Sequence, residues 1–155
     1  MKSLSEMDVR MSPLRREHAG VVSKLLLSQV HGFLLAPDGA GAQPFFDSLT
    51  PDVIANYEDT PQFDYRTAWH GVDLVGVIAL RHNHHLFHLF VAPDWQGRGL
   101  GRALWDAIQV PSSERYTVNA SRNAVGFYMR LGFVATGPEQ QGRGVAWTPM
   151  ANDCH

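Results

Sequence analysis

The chain has 155 residues, 45% hydrophobic and 18% charged, enough for one domain with a substantial core and too little for two. That composition lies far from the regime of intrinsic disorder, and a formal net charge of -2 excludes a general polyanion binder, since nucleic acid and anionic membrane select strongly basic surfaces. Neither is expected as a partner. The single cysteine, Cys154, leaves no intrachain disulfide and no cysteine-built zinc site. Met1 to Arg10 carries no apolar h-region, and no stretch approaches about 18 uninterrupted apolar residues; a soluble, cytoplasmic protein is expected. Charge is uneven: residues 1–64 hold five Lys/Arg and nine Asp/Glu, net -4, whereas 65–155 hold eight Arg and six Asp/Glu, net +2. An anionic ligand therefore belongs on the second half.

In chain order, a short extended piece around Asp8 to Pro13 precedes Arg16 to Val30, where Val22, Leu25, Leu26 and Val30 fall at helical spacing. His31 to Pro44 reads as loop, with Pro37, Gly39 and Gly41. Thr50-Pro51-Asp52 then supplies an N-cap, a proline at the first helical position and an early acid, predicting a helix to about Tyr57. Phe63 to His70 and Leu74 to Leu80 are rich in β-branched and aromatic residues and are separated by Gly71-Val72-Asp73, the pattern of an antiparallel hairpin. His85 to Val91 is apolar on both faces except for its histidines, as in a strand covered on both sides.

Gln96-Gly97-Arg98-Gly99-Leu100-Gly101 leads into a helix with Leu100, Leu104 and Ile108 on one stripe, ended by Pro111. Arg115 to Asn119 predicts a short strand, and Asn123 to Leu131 a helix closed by Gly132. Phe133 to Thr136 and Gly144 to Pro149 read as two closing strands. The sum is a mixed α/β (α+β type) chain of about four helices and six or seven strands, a single domain over 1–155.

The strand, glycine-rich turn and helix from His85 to Ile108 carry the chemistry. Glycines admit positive φ and close approach of a ligand to the main chain, and successive N–H groups at a helix mouth form a concave anion site. No Lys or Ser/Thr follows Gly101, which excludes a Walker A loop, and Arg102 stands where a dinucleotide fingerprint needs its last glycine. A bare structural turn is the competing reading; against it, Arg98 and Arg102 flank a helix N-terminus whose macrodipole repels cations.

These residues resemble the GNAT superfamily of N-acetyltransferases, whose pyrophosphate loop reads Gln/Arg-x-x-Gly-x-Gly/Ala; Gln96 to Gly101 matches at every specified position. A second likeness follows: Asn119-Ala120-Ser121-Arg122-Asn123-Ala124 and the run Phe127-Tyr128-Met129-Arg130-Leu131-Gly132-Phe133 are similar to the family's fifth strand and fourth helix. The resemblance covers nearly the whole chain. It implies the GNAT fold, acetyl-CoA as acyl donor and no metal. It further implies main-chain contacts to the pantetheine arm at Phe90 and Val91, with an oxyanion-type role, and pyrophosphate contacts in the loop opened by Gln96, through the amides of Gly97, Arg98, Gly99, Leu100, Gly101 and Arg102. Asn123 would contact the pantetheine region, and Tyr128 would face the leaving sulfur.

Acyl transfer to an amine needs a neutral amine, and an alkylamine of pKa about 10.4 is neutral at pH 7 only at a cost of about 4 to 5 kcal/mol. His85 and His88, on the predicted central strand, suit a proton relay, although many family members place a glutamate on this strand; either histidine or a water remains open as the base. Regular alternation puts the two on opposite faces, and each reads equally as a hydrogen-bonded core residue. A phenol of pKa about 10 exceeds a thiol by about 1.5 units, so Tyr128 is expected to donate a hydrogen bond to sulfur, with full proton transfer requiring a shifted pKa. His82, His84 and His88 are a weak metal reading, and Cys154, close to the C-terminus, a weak nucleophile.

The expected activity is direct transfer from acetyl-CoA to a primary amine in a ternary complex; the alternative is an inactive acyl-CoA-binding sensor or partner module. A homodimer is left open. The acceptor pocket is expected among the first two helices, the loop from His31 to Phe46 and the hairpin around Trp69, with Phe33, Phe45, Phe46 and Tyr65 as walls or as core.

Overall fold

The computed structural model describes residues 2–110 and 115–152. Pro111, expected to end the third long helix, and Cys154 lie outside the described residues. Strands β1 (Arg10–Pro13), β2 (Phe63–His70), β3 (Asp73–Arg81), β4 (His85–Val91), β5 (Tyr116–Ala120), β6 (Val134–Ala135), β7 (Gln140–Gly142) and β8 (Val145–Asn152) build one sheet around helices α1 (Ala19–Gln29), α2 (Gln43–Asp47), α3 (Pro51–Asn56), α4 (Leu100–Ile108) and α5 (Val125–Arg130). The strand order is β1-β2-β3-β4-β5-β8-β6, with β7 paired to β8. Every strand pair is antiparallel except β4–β5. The mixed sheet is the one expected, with one more strand and one more helix: β7 and α2, three and five residues long, are too short to show a period in sequence.

Alternation along β3 separates two cores. Ile78 and Leu80 join Leu100, Leu104 and Ile108 of α4 and Phe133 on one side, while Val77 and Ala79 join Val22, Leu26 and Ile54 of α1 and α3 on the other. Leu100, Leu104 and Ile108 form the stripe seen in sequence and are 1% exposed or less; each buried side chain stabilises by about 1.5 to 3 kcal/mol. Thr50 caps α3 by accepting from the Val53 amide, with Pro51 first in the helix, as the sequence indicates.

Two irregularities place the site. First, β4 and β5 pair only at His85↔Thr117 and Leu86↔Val118, then separate, and the gap opens toward the glycine-rich turn. Second, β3 pairs Ala79 with His88 and Leu80 with Leu86, so Phe87 is an extra, unpaired residue. The bulge corrects the expectation that His85 and His88 face opposite sides. Tyr65, Ala79 and His88 are successive cross-strand partners on the side of α1 and α3; Leu86 faces α4, so its neighbour His85 faces the side of His88.

Candidate active site

Between the separating strands lies a cleft of about 570 Å³ whose lining includes Phe90, Val91, Gln96, Gly97, Gly99, Leu100, Gly101, Arg102, Asn123 and Tyr128. Ten of the residues singled out in sequence thus converge on one cavity. The turn forms because Gly97 and Gly99 adopt φ of +75° and +87°, a region closed to most side chains. Gly99 is the N-cap of α4 and offers no side-chain cap, so the first amides of the helix point out of its end without intrahelical partners. Gly101 is required for a different reason: a Cβ there would stand 3.0 Å from the Phe127 ring, which also lines the cleft.

The cations divide. Arg102 lines the cleft, and its Nε is buried without a hydrogen-bond partner. Arg130 lines it as well and makes no ion pair among the described residues. Arg98 is absent from the lining; its guanidinium lies 4.8 Å from the centre of the Trp95 ring, and Trp95 packs in turn against His70. Arg98, expected to contribute its amide, is thus the one member of the turn from Gln96 to Arg102 outside the lining. Gln96 donates from Nε2 to the Val91 carbonyl at 3.0 Å and to Gln29 Oε1 at 2.6 Å, tying the turn to β4 and to the end of α1.

The opposite wall comes from the segment after β5. Ser121 Oγ donates to Asn123 Oδ1 at 2.7 Å, which leaves the Asn123 Nδ2 donors without a protein partner among the described residues. Gly32 packs so closely on the Asn123 amide that a Cβ there would overlap it. Tyr128 is buried, with edge contacts to Phe127 and Phe133, and its hydroxyl makes no hydrogen bond among the described residues. Burial alone raises its pKa above the ordinary phenol value, so the group is a hydrogen-bond donor and a poor source of a proton.

The two histidines sit elsewhere. His88 Nδ1 is 2.8 Å from the Tyr65 hydroxyl, its ring is stacked on Phe87, and desolvation lowers its pKa to about 3. His85 Nδ1 is 2.8 Å from Thr117 Oγ1, and burial, then Arg81 and His84, lower its pKa to about 4. Neither lines the cleft. Among the described residues no group of three or more metal-ligating side chains gathers as a metal site, and no helix is long and apolar enough to cross a membrane.

Phe33, expected as an acceptor wall or as core, also lines the cleft, whereas sequence reasoning missed Gln29, Trp95, Asn119, Ser121, Phe127 and Arg130 in the lining. Asn119 and Ser121 lay inside a quoted motif and were findable there. Gln29 and Phe33 reach the cleft only through long-range packing. On the acceptor side, Phe33, Phe45 and Phe46 form a row of ring contacts, and Tyr65 is core. Trp69 is buried against His18 and donates through Nε1 to Thr67, and it lines neither this cleft nor the cavity beside Phe45.

A family model for the GNAT acetyltransferase domain matches residues 33–154. The chain belongs to that family and is an acyltransferase. Among curated proteins no sequence relative matches. The fold is similar to that of a GCN5-related N-acetyltransferase from Rhodopseudomonas palustris, at 23% identity, TM-score 0.76 and coverage of 93% of this chain and 94% of that one. It is also similar to PaiA N-acetyltransferase from Thermoplasma acidophilum, solved with coenzyme A, at 14% identity, TM-score 0.72 and coverage of 94% and 98%. Spermidine N-acetyltransferase from Vibrio cholerae, solved with CoA and spermine, matches at 18% identity, TM-score 0.66 and coverage of 96% of each chain.

Proposed function

We propose that this protein is an N-acetyltransferase that moves an acetyl group from acetyl-CoA to a primary amine by direct transfer. The observation that carries the reading is a single cleft holding a buried, unpartnered Arg102 Nε, an uncapped helix mouth behind Gly99 and the unpartnered hydroxyl of Tyr128. The residues fit the donor on their own chemistry: an orphaned cationic N–H and open amides suit a diphosphate, and the open edge of β4 suits an extended amide-bearing arm. The neighbours solved with coenzyme A support the same ligand.

Acetyl-CoA supplies an activated acyl carbon, so that an N–C bond forms as the C–S bond breaks and one amine proton is passed on while sulfur leaves. The amides of Leu100, Gly101 and Arg102 would hold the phosphates, and the Asn123 Nδ2 donors and the main chain at Phe90 and Val91 would align the arm. Tyr128 would donate its hydroxyl hydrogen bond toward the departing sulfur and remain protonated, since its raised pKa disfavours ionisation. His85 and His88 stay neutral: conjugate acids of pKa about 4 and 3 do not retain a proton taken from an ammonium at pH 7. The proton is therefore assigned to solvent.

Thiol release from acetyl-CoA in the presence of a panel of amines, alongside calorimetric titration with CoA, tests the reading. Amine-dependent release with saturable CoA binding is expected. CoA binding without turnover for any amine would instead favour a sensor module.

A further inference from the structure

The acidic first half of the chain suggests a cationic acceptor, but several of its carboxylates are engaged elsewhere and none lines the site. Glu58 and Asp59 meet Arg16, Asp64 meets Arg66, and Asp47 meets Gln43. Among the described residues neither the cleft nor the neighbouring cavity is lined by any Asp or Glu. That neighbouring cavity, about 370 Å³, lies between α2 and the β7–β8 hairpin and is lined by Pro44, Phe45, Gly142, Arg143, Val145 and Trp147. It adjoins the cleft, because Phe45 packs against Phe33 with ring centres 5.6 Å apart, and Phe33 lines the cleft.

Arg143 is conspicuous there. It occupies the first central position of a two-residue turn, with φ of +50° followed by +79° at Gly144, where Asn, Asp or Gly is the residue that fits without strain. Its guanidinium makes no ion pair or hydrogen bond among the described residues. The turn is nevertheless held in place: Leu34 bridges to Val145, the Leu35 amide donates to the Gly144 carbonyl at 2.9 Å, and a Cβ on Gly144 would lie 2.6 Å from the backbone of Gly41 and Ala42. The turn thus presents an exposed guanidinium, on a backbone held at positive φ, at the rim of a cavity with two aromatic walls. A planar guanidinium of this kind recognises a carboxylate, and flat rings beside it accept an aromatic or aliphatic body.

Resting on the acetyltransferase reading above, we propose that the acceptor amine also bears a carboxylate and an apolar, aromatic body, with Arg143 receiving the carboxylate between Phe45 and Trp147. Polyamines are thereby disfavoured, since several ammonium groups would face arginines without a countercharge.

The test uses the full chain with acetyl-CoA and three acceptors: L-phenylalanine, L-phenylalaninamide and spermidine. The expected result is a KM for phenylalanine about tenfold below those of the other two, the scale of one charge-assisted hydrogen bond. Arg143→Asn, which suits the positive φ, should erase the difference between phenylalanine and its amide while leaving CoA affinity in calorimetry unchanged; Arg143→Lys should restore part of it. A lower KM for spermidine, or an equal effect of Arg143→Asn on acid and amide, would overturn the proposal. Absence of CoA binding would remove the acetyltransferase reading as well, whereas CoA binding without carboxylate preference would remove only the acceptor class.

Discussion

His88 gives a prediction whose size follows from its surroundings. Enclosed by Tyr57, Tyr65, Phe87 and Phe90, it titrates in the fold at about 3, whereas in the unfolded chain it titrates near the ordinary value of about 6.5. A depressed folded pKa means that the unfolded state binds the proton first, so stability present above pH about 6.5 is lost as pH falls toward the folded value. Each pH unit inside that window costs about 1.4 kcal/mol, and the step from pH 7 to pH 5 costs about 2 kcal/mol for His88. His85, lowered to about 4, adds a similar amount. His88→Gln keeps an acceptor for the Tyr65 hydroxyl and removes the titration. Urea denaturation at pH 7, 6 and 5 should show the variant losing about 2 kcal/mol less than the parent across that range, whatever its absolute stability at pH 7. Contributions from carboxylates are common to both proteins and cancel in the difference. Identical pH slopes would mean that His88 carries its proton inside the fold, and the argument that it stays neutral during transfer would fail.

Tyr128→Phe should lower kcat by about 10²-fold, the scale of a lost donor at developing charge, with little change in the calorimetric Kd for CoA; an unchanged kcat would remove the hydroxyl from the mechanism. Arg102→Ala should weaken CoA binding and flatten its salt dependence, measured by titration at two ionic strengths, because it removes a buried cation. Gly144→Ala should destabilise the protein by about 2 kcal/mol or more in denaturant unfolding, since a Cβ meets backbone at 2.6 Å at a left-handed φ.

Local signals read well here and distant ones did not. The strand His85–Val91 has the same bounds in sequence and structure, because a run apolar on both faces bounded by Pro93 has few alternatives. The α4 stripe and the Thr50 cap followed from period and capping chemistry. The bulge at Phe87 was invisible, since its cause is register against β3, and with it went the facing of the two histidines. Likewise nothing in the linear order joins Gly32 to Asn123 or Leu34 to Val145; such contacts exist only once the sheet has brought β8 beside the segment after α1. The glycine turn was legible because φ > 0 is written into residue type, but the stacking of Arg98 on Trp95 was not.

That stacking has a practical corollary. Trp95 sits on the cleft wall with a cation on its face and His70 on its flank, whereas Trp69 and Trp105 are sequestered in the interior. Its indole should therefore serve, beside the half-buried Trp147, as an intrinsic optical reporter of the coenzyme proposed for the adjoining turn, without any label being attached.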